Sequence, residues 1–533
     1  MRYLVSVGLG PVQDFIAAAR RCRDLWYGSR LLSEVSKAAA LRLAQDGAKL
    51  IFPAPDSLAD LEIDSPFTVA NKLLAVVDTD DVAAVVGAAK AAAEKRLDDA
   101  ARIETWRLRG TRIDWRRYHS QLRTVLEFYA AWTPYANYKS ARARVEHLAA
   151  GRKALRNFQR FEGQEGVPKS SLDGIRENVV LERSSDLYQS QLKDEEWLDA
   201  IGVVKRFGDY SRFDSTIDVA AVPFVRGRTT EKPDVMERYR QYVCEREWLP
   251  KGTYALLYQH DSRQIFDGEL VDDPELEAIR KKLGKEPNPP YYAFLIGDGD
   301  RMGEAIGKIE EEEEHRKFSS KLSRFAEAAR KLIDGDEYRG CSIYCGGDDV
   351  VALLPLDRAL DCARAVNAEF HEAMGGYNVT FSAGLVVAHA LEPLQDVREW
   401  ARKAERAAKD PKRGDRNALC VAVWPRSGAP VKVFGKWNEF PEVLDRIAGL
   451  YVNKKLSLGL AHEFRDLLVR IREWDELHEA VPQMAKAIAA RKEQQKEAVQ
   501  LVEELAKDWN GLDRLCRTML AARPFARARK EAS

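Results

Sequence analysis

The strongest constraint on the fold is a pair of apolar runs between residues 341 and 356 that are separated by only four residues. The runs are "CSIYC" and "VVALLPL", and the residues between them are "GGDD". A connection this short allows only a tight hairpin, in which glycine provides a positive φ and aspartate is a favourable turn residue. The sequence therefore predicts two adjacent antiparallel strands with two carboxylates at their turn.

The segments on either side of this hairpin predict the rest of its domain. "YYAFLI" reads as a strand, residues 302–333 are helical apart from an acidic bulge at 310–314, and residues 357–374 form an amphipathic helix. A strand "NVTFSAGLVVA", a helix at 394–409 and a strand "NALCVAVW" follow. The order is βαββαβ with an added αβ unit, which is a ferredoxin-like arrangement.

The remainder of the chain predicts further regions around this domain, within an overall α+β fold class. "RYLVSVGLG", a long helical segment and "NKLLAVVD" indicate a first α+β domain, and the C-terminal residues are strongly periodic helices. We expect domains at residues 1–140 (the first α+β domain), 141–285 (a basic, irregular helical insert), 286–428 (the hairpin domain) and 429–533 (all-α).

Composition and charge exclude several classes of protein. The 533 residues carry 84 Lys plus Arg and 84 Asp plus Glu, so any surface that binds nucleic acid must be local. The apolar N-terminus is interrupted by Gln13 and Asp14, and no later stretch has the length of a membrane span, which predicts a cytoplasmic protein without membrane association. The seven cysteines are scattered and favour neither a disulfide framework nor a zinc site.

A second acidic turn changes the interpretation of the hairpin. In "FLIGDGDRMGEAIG" Asp298 follows an apolar strand that lies beside the hairpin in a βαββαβ fold, so Asp298, Asp348 and Asp349 should converge at one sheet end. Carboxylates this close repel one another unless a cation lies between them, and hard oxygen ligands with open positions suit a pair of Mg²⁺ or Mn²⁺ ions. The alternative for "GGDD" alone is an ordinary turn.

Glycines surround these carboxylates. Gly297, Gly299 and Gly303 would let backbone amides at a helix start approach a triphosphate, and Gly346 and Gly347 would leave room for a nucleotide beside the hairpin.

Lys409 lies near the end of the helix predicted at 394–409. Its ammonium could bind β- and γ-phosphates, or it could be a solvated charge that is favourable with the helix dipole. The sequence leaves both interpretations open.

Several motifs together resemble a known family. They are "GPVQDFIAAARRCRDLWYGSRLLS" at 10–33, "ANKLLAVV" at 70–77, "IGDGDRMG" at 296–303, "CGGDDVVALLP" at 345–355 and "FSAGLVVAH" at 381–389. In this order they resemble the palm-type nucleotidyl cyclase and polymerase superfamily. The resemblance is closer to the large polymerase/cyclase subunit of type III CRISPR effector complexes of the Cmr kind (type III-B).

This resemblance implies two ferredoxin-like palm domains, the first without an acidic motif, and ATP as the substrate in the cleft between them. It implies joining of ATP units by attack of a 3′-hydroxyl on an α-phosphate, usually closing to cyclic oligoadenylate, when the complex of partner subunits and guide RNA binds target RNA. Asp298, Asp348 and Asp349 would be the catalytic, metal-binding residues. The implied nucleotide-binding residues are Gly299, Asp300, Arg301, Gly303, Gly346, Gly347, Ser382 and Lys409.

Two departures from the family pattern shape the expectations. "GPVQDFI" begins at residue 10 and leaves no room for an N-terminal HD nuclease domain, and His260-Asp261 lacks spaced partner ligands, so HD-type DNase activity is not expected. The insert resembles a zinc ribbon, but Ser170, Asp173 and Asp199 stand where cysteines would be expected. We therefore expect a degenerate ribbon without zinc, held together by packing.

Two other functions are compatible with the sequence. The chain could be a catalytically silent scaffold that binds guide and target RNA through the basic runs "SARARVEHLAAGRKALRNFQR" and "FARARKEAS", although these could equally be solvated surface. It could also be a stand-alone nucleotide cyclase. The intact acidic constellation argues against the scaffold, and copurification with RNA and partner subunits would separate all three.

Overall fold

A computed structural model shows how these segments are arranged. It describes residues 1–103, 108, 110–155, 163–182, 192, 196–208, 213–246, 253–258, 273–284, 286–413, 415–492 and 495–533. The basic run that begins at residue 140 is only partly included, and His260-Asp261 lies outside the described residues.

The hairpin domain is built on a six-stranded sheet in the order β12-β11-β10-β7-β9-β8. Its strands are β7 (Tyr291–Asp300), β8 (Cys341–Gly346), β9 (Asp349–Leu354), β10 (Thr380–His389), β11 (Ala418–Val423) and β12 (Val431–Lys436). All neighbours are antiparallel except β10 and β11. The predicted βαββαβ order with an added αβ unit is confirmed. The sequence missed β12, which adds an edge strand before the C-terminal helices.

Helices cover both faces of this sheet. They are α10 (Met302–Lys308), α11 (Glu312–Asp334), α12 (Ala359–Ala373) and α13 (Leu394–Lys409). The helical segment predicted at 302–333 is interrupted at residues 309–311, so the interruption overlaps the acidic bulge expected at 310–314 only at its first two residues. Phe325, Phe370 and Phe381 pack edge-on or tilted in the core between α11, α12 and β10. The strands β7 and β10, most of whose residues are buried, therefore hold the end of the sheet that carries the hairpin turn.

The first α+β domain repeats this topology with four strands in the order β2-β3-β1-β5. The strands are β1 (Arg2–Gly10), β2 (Lys49–Phe52), β3 (Lys72–Asp78) and β5 (Glu127–Pro134), and a separate pair is formed by β4 (Arg112–Ile113) and β6 (Val180–Glu182). Its helices are α1 (Gln13–Ala17), α2 (Cys22–Gln45), α3 (Val82–Ala100), α4 (Trp115–Leu122) and α5 (Tyr138–Ala154). Residues 53–71 connect β2 to β3, where the other sheet has its acidic turn.

Helices make up the rest of the described chain. Those of the insert are α6 (Ala200–Phe207), α7 (Thr216–Glu231), α8 (Pro233–Cys244) and α9 (Pro274–Leu283). Those of the C-terminal region are α14 (Phe440–Val452), α15 (Leu460–Arg470), α16 (Val481–Lys492), α17 (Lys496–Leu505) and α18 (Trp509–Ala532). The α+β class with a helical C-terminal region is confirmed. None of the helices that the structure describes is both long and apolar enough to cross a membrane.

Candidate nucleotide site at the acidic hairpin

The three predicted carboxylates lie together at one end of the six-stranded sheet. Gly347 and Asp348 form the turn between β8 and β9, and the φ of +63° at Gly347 explains why glycine is needed there. Asp349 is the first residue of β9, and Gly297 of the neighbouring β7 pairs with Val350. Since β7 continues to Asp300, Asp298 lies within the strand, where the sequence had suggested a turn after "YYAFLI".

The environment of these carboxylates disfavours their negative charge. Desolvation and the nearby Asp298 carboxylate raise the pKa of Asp348 to about 7. Asp349 has an exposed surface but sits within the walls of the cleft, and this enclosure together with the Asp348 carboxylate raises its pKa well above the usual range. The predicted repulsion between the acidic residues is therefore present in the structure.

Lys409 supplies the positive charge nearest to these residues. Its ammonium forms ion pairs with Asp298 and, at 3.0 Å, with Glu405 one turn earlier on α13. Burial opposes the charged ammonium, but the two carboxylates outweigh it and raise the pKa of Lys409. Of the two interpretations left open, the solvated helix-end charge does not match this geometry, because Lys409 reaches into the acidic cluster.

The metal-binding capacity of the cluster follows from its donor atoms. Among the residues that the structure describes, no group of three or more His, Cys, Asp or Glu side chains is arranged to ligate a metal ion. The donors at the hairpin are nevertheless hard carboxylate oxygens: those of Asp348 and Asp349, whose pKa values are raised, and those of Asp298, which pairs with the Lys409 ammonium. This donor set fits a divalent cation such as Mg²⁺ or Mn²⁺, which would neutralise the same charges.

Asp300 and Ser382 lie below the acidic cluster and bind each other. One carboxylate oxygen of Asp300 accepts three hydrogen bonds. The donors are the Ser382 hydroxyl at 2.8 Å, the Thr380 hydroxyl at 2.8 Å and the backbone N–H of Asn417 at 3.0 Å. Asp300 is 1% exposed and Ser382 has no exposed surface. Neither side chain has a free surface for a nucleotide, so in this structure the pair connects β7 to β10 and to the segment before β11.

The remaining predicted positions surround the turn. A side chain at Gly299 would collide with Met302 and with the Cβ of Asp348, which lies 2.9 Å from the position a Cβ would take. Gly346 leaves space that the Tyr344 ring fills, whereas Gly303 and Gly347 border open space. Arg301 is exposed, with a φ of 59°, immediately before α10. Glycine at 299 is therefore required by the close approach of β7 to the hairpin.

A cavity of about 610 Å³ opens beside the acidic hairpin, between the two sheets. Asp298 and Asp349 border it from one side, and the first domain contributes residues of the segment after β1 and of α2. Arginines of α13 complete its wall at Arg398, Arg402 and Arg406. The sequence did not point to these arginines, although their spacing of four residues placed them on one face of a predicted helix.

The acidic bulge joins the two sheets. Glu312 accepts hydrogen bonds from Arg2 at 3.1 Å and from the Tyr135 hydroxyl at 2.8 Å, and it forms an ion pair with Lys49 at 2.6 Å. Glu312 is only 8% exposed. The acidic bulge predicted from five consecutive glutamates thus forms, at this residue, a buried contact with the first domain.

The first basic run contributes to the same contact. The guanidinium of Arg142 on α5 donates to the backbone carbonyls of Ile309 at 2.9 Å and Gly307 at 3.1 Å, and the Tyr138 hydroxyl is hydrogen-bonded to His315. Because Arg142 is 5% exposed, it is unavailable to an RNA phosphate. In the second run, "FARARKEAS", Arg529 pairs with Asp445, so both runs are partly used within the protein.

Ser170, Asp173 and Asp199, which stand where a zinc ribbon would have cysteines, lie near one another in the structure. The Ser170 hydroxyl donates to Asp199 at 3.3 Å, and the same oxygen of Asp199 accepts from the amide of Gly202 at 2.9 Å as the cap of α6. Burial and the nearby Asp173 carboxylate raise the pKa of Asp199. Hydrogen bonds take the place that metal–thiolate bonds would occupy in a closed zinc site.

Two similar sheets that face a shared cleft, one of them with an acidic hairpin, form a double-palm fold. Sequence profiles described as "Cas10/Cmr2, second palm domain" and "CRISPR-associated protein Cmr2, N-terminal" match residues 291–420 and 4–103. The resemblance to the Cmr2-type subunit of type III-B CRISPR complexes, which the sequence motifs indicated, is thereby confirmed for these two regions.

Individual relatives agree with this assignment. The chain is 24% identical to the Cmr2 subunit of the Pyrococcus furiosus CRISPR Cmr system, over 80% of this chain and 62% of that protein. It therefore spans less than two thirds of the length of this curated relative. Two solved type III-B Cmr-beta structures, one in the apo state and one bound to cognate target RNA, superpose with TM-scores of 0.62 and 0.64. Each is 14% identical over 93% of this chain, covering 78% and 79% of the solved chains, and supports the fold.

Proposed function

We propose that the chain is the nucleotidyltransferase subunit of a type III CRISPR complex and converts ATP into a cyclic oligoadenylate-type second messenger. The observation that carries this proposal is the convergence of Asp298, Asp348 and Asp349 at the sheet end beside the cleft between the two palms. A scaffold alone gains nothing from three mutually repelling carboxylates, since their repulsion costs stability.

The proposed reaction joins ATP units with release of pyrophosphate. The 3′-oxygen of one nucleotide attacks the α-phosphorus of another, an O–P bond forms, and the bond from the α-phosphorus to the bridging oxygen breaks. Pyrophosphate leaves with that oxygen, and the hydroxyl proton passes to solvent. Repetition lengthens the chain, and the same attack within one molecule closes a ring.

The residues of the hairpin have distinct tasks in this reaction. Asp298, Asp348 and Asp349 would hold a pair of Mg²⁺ or Mn²⁺ ions, which supply a lowered pKa for the 3′-hydroxyl and charge neutralisation for the leaving pyrophosphate. Gly299 keeps β7 close enough to the turn for these carboxylates to meet. Lys409 offers an ammonium that already lies among them and is suited to a phosphate oxygen. Asp300 and Ser382 hold the strands beneath in register.

The proposal extends to partners. The chain would assemble with other effector subunits and guide RNA in the cytoplasm and respond to target RNA. One structural neighbour is a Cmr-beta complex bound to cognate target RNA, which supports the part of the proposal that concerns target RNA. The acidic cleft repels RNA phosphates, so target RNA would bind elsewhere and act through the relative placement of the palms. The Lys409–Asp298 ion pair is also the observation that favours the rival function, a silent scaffold, because it occupies a catalytic carboxylate.

The test is mass spectrometry of the products after incubation of the assembled complex with ATP, Mg²⁺ and target RNA. The double variant Asp348→Ala/Asp349→Ala should make no oligoadenylate while assembling normally. A matched control is Asp98→Ala/Asp99→Ala, which removes an adjacent pair of exposed aspartates from α3. Loss of product on adding EDTA is also expected. Full ATP turnover in the double hairpin variant would reject the proposal, and absence of product from the unmodified complex would favour the scaffold.

A further inference from the structure

A lysine of the insert reaches the first palm through the interior of the protein. Lys205 lies on α6 and has no exposed surface. Its ammonium donates hydrogen bonds to the backbone carbonyls of Phe15 and, at 2.9 Å, of Ala18, and it lies 4.5 Å from the centre of the Phe15 ring. Because Phe15 belongs to α1 and Ala18 follows it directly, the insert holds a helix that is 190 residues away in the chain.

Helix α1 has little in its own sequence to hold it. It consists of five residues, and a helix this short is not stable by itself in water. Val12 precedes it and provides no side-chain cap, and no basic residue occupies its last turn. The carbonyls at the C-terminal end of a helix lack partners within the helix and need donors from elsewhere. The Lys205 ammonium supplies such a donor to two carbonyls of this segment.

The ammonium of Lys205 is not half of an ion pair. Burial lowers the pKa of Lys205 to about 8, and the Arg398 guanidinium adds to this effect. The carboxylates of Asp24, Asp173 and Asp199 oppose it, but none of the three lies within ion-pair distance of the ammonium. A buried charge without a carboxylate partner costs stability. Its two carbonyl contacts are therefore what this charge provides.

Neighbouring residues prepare the path of the lysine side chain. Arg206, the next residue of α6, binds Asp24 of α2 through two hydrogen bonds at 2.7 and 2.8 Å, and it also pairs with Glu196. This bidentate pair fixes α6 against α2. Gly28 of α2 lets the lysine stem pass, because a Cβ at this position would lie 2.8 Å from the Cε of Lys205. Helix α6 is thus anchored on α2, and Lys205 extends from it to α1.

The segment that Lys205 holds is a wall of the cavity between the palms. Four of its residues border this cavity, namely Pro11, Val12, Asp14 and Ile16. Phe15, which lies between them in the chain, is buried and contacts the ammonium. Loss of the lysine contacts would therefore free one wall of the cavity, while the acidic hairpin on the other palm would keep its own contacts.

We propose that Lys205 is a positioning residue for the nucleotide cleft, because its ammonium holds α1 where a bound nucleotide meets it. This inference rests on the proposed function and adds to it a role for the insert. Lys205 has no exposed surface, so it acts on the nucleotide through α1 and not by contact. A movement of α6 relative to the first palm is transmitted to the cleft by this side chain.

Hydrogen exchange of the full-length chain tests the anchor independently of catalysis. Lys205→Met keeps the length of the side chain and removes its charge and hydrogen bonds. The backbone amides of residues 13–19 should exchange about tenfold faster or more in this variant, because α1 loses its donor. Equal exchange in the wild type and the variant would overturn the proposal. If circular dichroism shows that Lys205→Met is unfolded, Lys205→Gln replaces it.

Lys232→Met is the matched control for this substitution. The ammonium of Lys232 also donates to the last carbonyls of a helix of the insert, those of Lys282 at 2.9 Å and Leu283 at 3.1 Å on α9. The described residues of α9 do not border the cavity. Lys232→Met should leave the exchange of residues 13–19 unchanged, and faster exchange there would show that the effect is not specific to Lys205, which would overturn the proposal.

Turnover by the assembled complex with target RNA tests the positioning role. In Lys205→Met, KM for ATP should rise about fivefold or more, whereas kcat at saturating ATP should change less than about twofold, because the hairpin carboxylates are untouched. An unchanged KM, or a loss confined to kcat, would overturn the positioning role. Faster exchange of α1 in the variant, together with no ATP conversion by the unmodified complex, would reject the proposed function and with it the role at a nucleotide, leaving only the anchor.

Discussion

Asp298 and Asp300 are two residues apart on β7 and have opposite surroundings. The carboxylate of Asp298 forms an ion pair with Lys409 beside the cleft. Asp300 is buried and accepts hydrogen bonds from β10 and from the segment before β11. In the sequence "GDGD" both are equally plausible ligands. The difference arises from partners that are 80 or more residues away in the chain.

Substitution of these two aspartates should therefore have different effects on stability. Asp300→Ala removes three hydrogen bonds and leaves buried donors unpaired, so the free energy of unfolding should fall by about 3 kcal/mol. Asp298→Ala should cost less than about 1 kcal/mol, because Lys409 keeps Glu405 and repulsion at the hairpin is relieved. Urea unfolding measures both values. A larger loss for Asp298→Ala would contradict this assignment.

His315 makes stability depend on pH. Burial and the nearby Arg142 lower its pKa from 6.5 to about 4, while Tyr138 is its hydrogen-bond partner, Glu146 opposes the lowering and Lys72 adds to it. The folded protein therefore keeps His315 neutral, whereas the unfolded chain binds a proton below pH 6.5. The stabilisation is complete above that pH and is lost as the pH falls toward 4.

Lowering the pH from 7 to 5 should accordingly cost about 2 kcal/mol of stability through His315. His315→Gln should lack this part of the pH dependence, as measured by urea unfolding at both pH values. His371→Gln is the control, because His371 is exposed. Identical pH dependence in the wild type and His315→Gln would show that His315 does not link the palms in this way.

At the scale of elements, the segment between α10 and α11 connects the two palms. Glu312 begins α11 and is bound by Arg2 of β1, Lys49 of β2 and Tyr135 after β5. Desolvation opposes its charge, but Lys49 and Tyr135 outweigh this and lower the pKa of Glu312. The contact sets how the acidic hairpin faces the first palm.

Glu312→Gln should lower the free energy of unfolding by about 1 kcal/mol, because Arg2 loses its partly buried counter-charge while Lys49 keeps only its ion pair with Glu313. Glu314→Gln, an exposed position two residues further on, should change stability by less than about 0.5 kcal/mol. Thermal and urea unfolding provide the comparison. Equal effects of the two substitutions would mean that the ion pairs with the first palm carry no net stability.

The insert should fold without a metal. Ser170 and Asp199 are hydrogen-bonded where a closed zinc site would need thiolates, so the purified chain should contain no stoichiometric zinc and its melting temperature should not change on treatment with a chelator. Elemental analysis checks the first expectation and calorimetry the second. One tightly held zinc per chain would contradict both.

At the scale of the whole molecule, the proposed control by target RNA would act through the contact between the palms. If target RNA favours the arrangement of the palms that binds ATP, RNA and ATP each raise the binding affinity of the other by the same factor. The expected outcome is tighter binding of a non-reactive ATP analogue to the complex with target RNA than without it, and an equal change in RNA affinity with the analogue. Equilibrium titrations in both directions measure the two factors. Unchanged affinities in both titrations would contradict coupling of the two binding sites, and full-rate product formation by the isolated chain would reject RNA control.

The sequence by itself determined the strand order of the second palm, the hairpin turn and the meeting of Asp298 with Asp348 and Asp349. These features depend on local periodicity and on a turn too short for any other geometry. Only the tertiary structure decided that Asp300 and Ser382 bind each other, that the acidic bulge is buried against the first palm, and that the arginines of α13 face a cavity. Each of these depends on partners distant in the chain. A charged side chain has the same local sequence pattern whether it meets solvent, a counter-charge or a ligand.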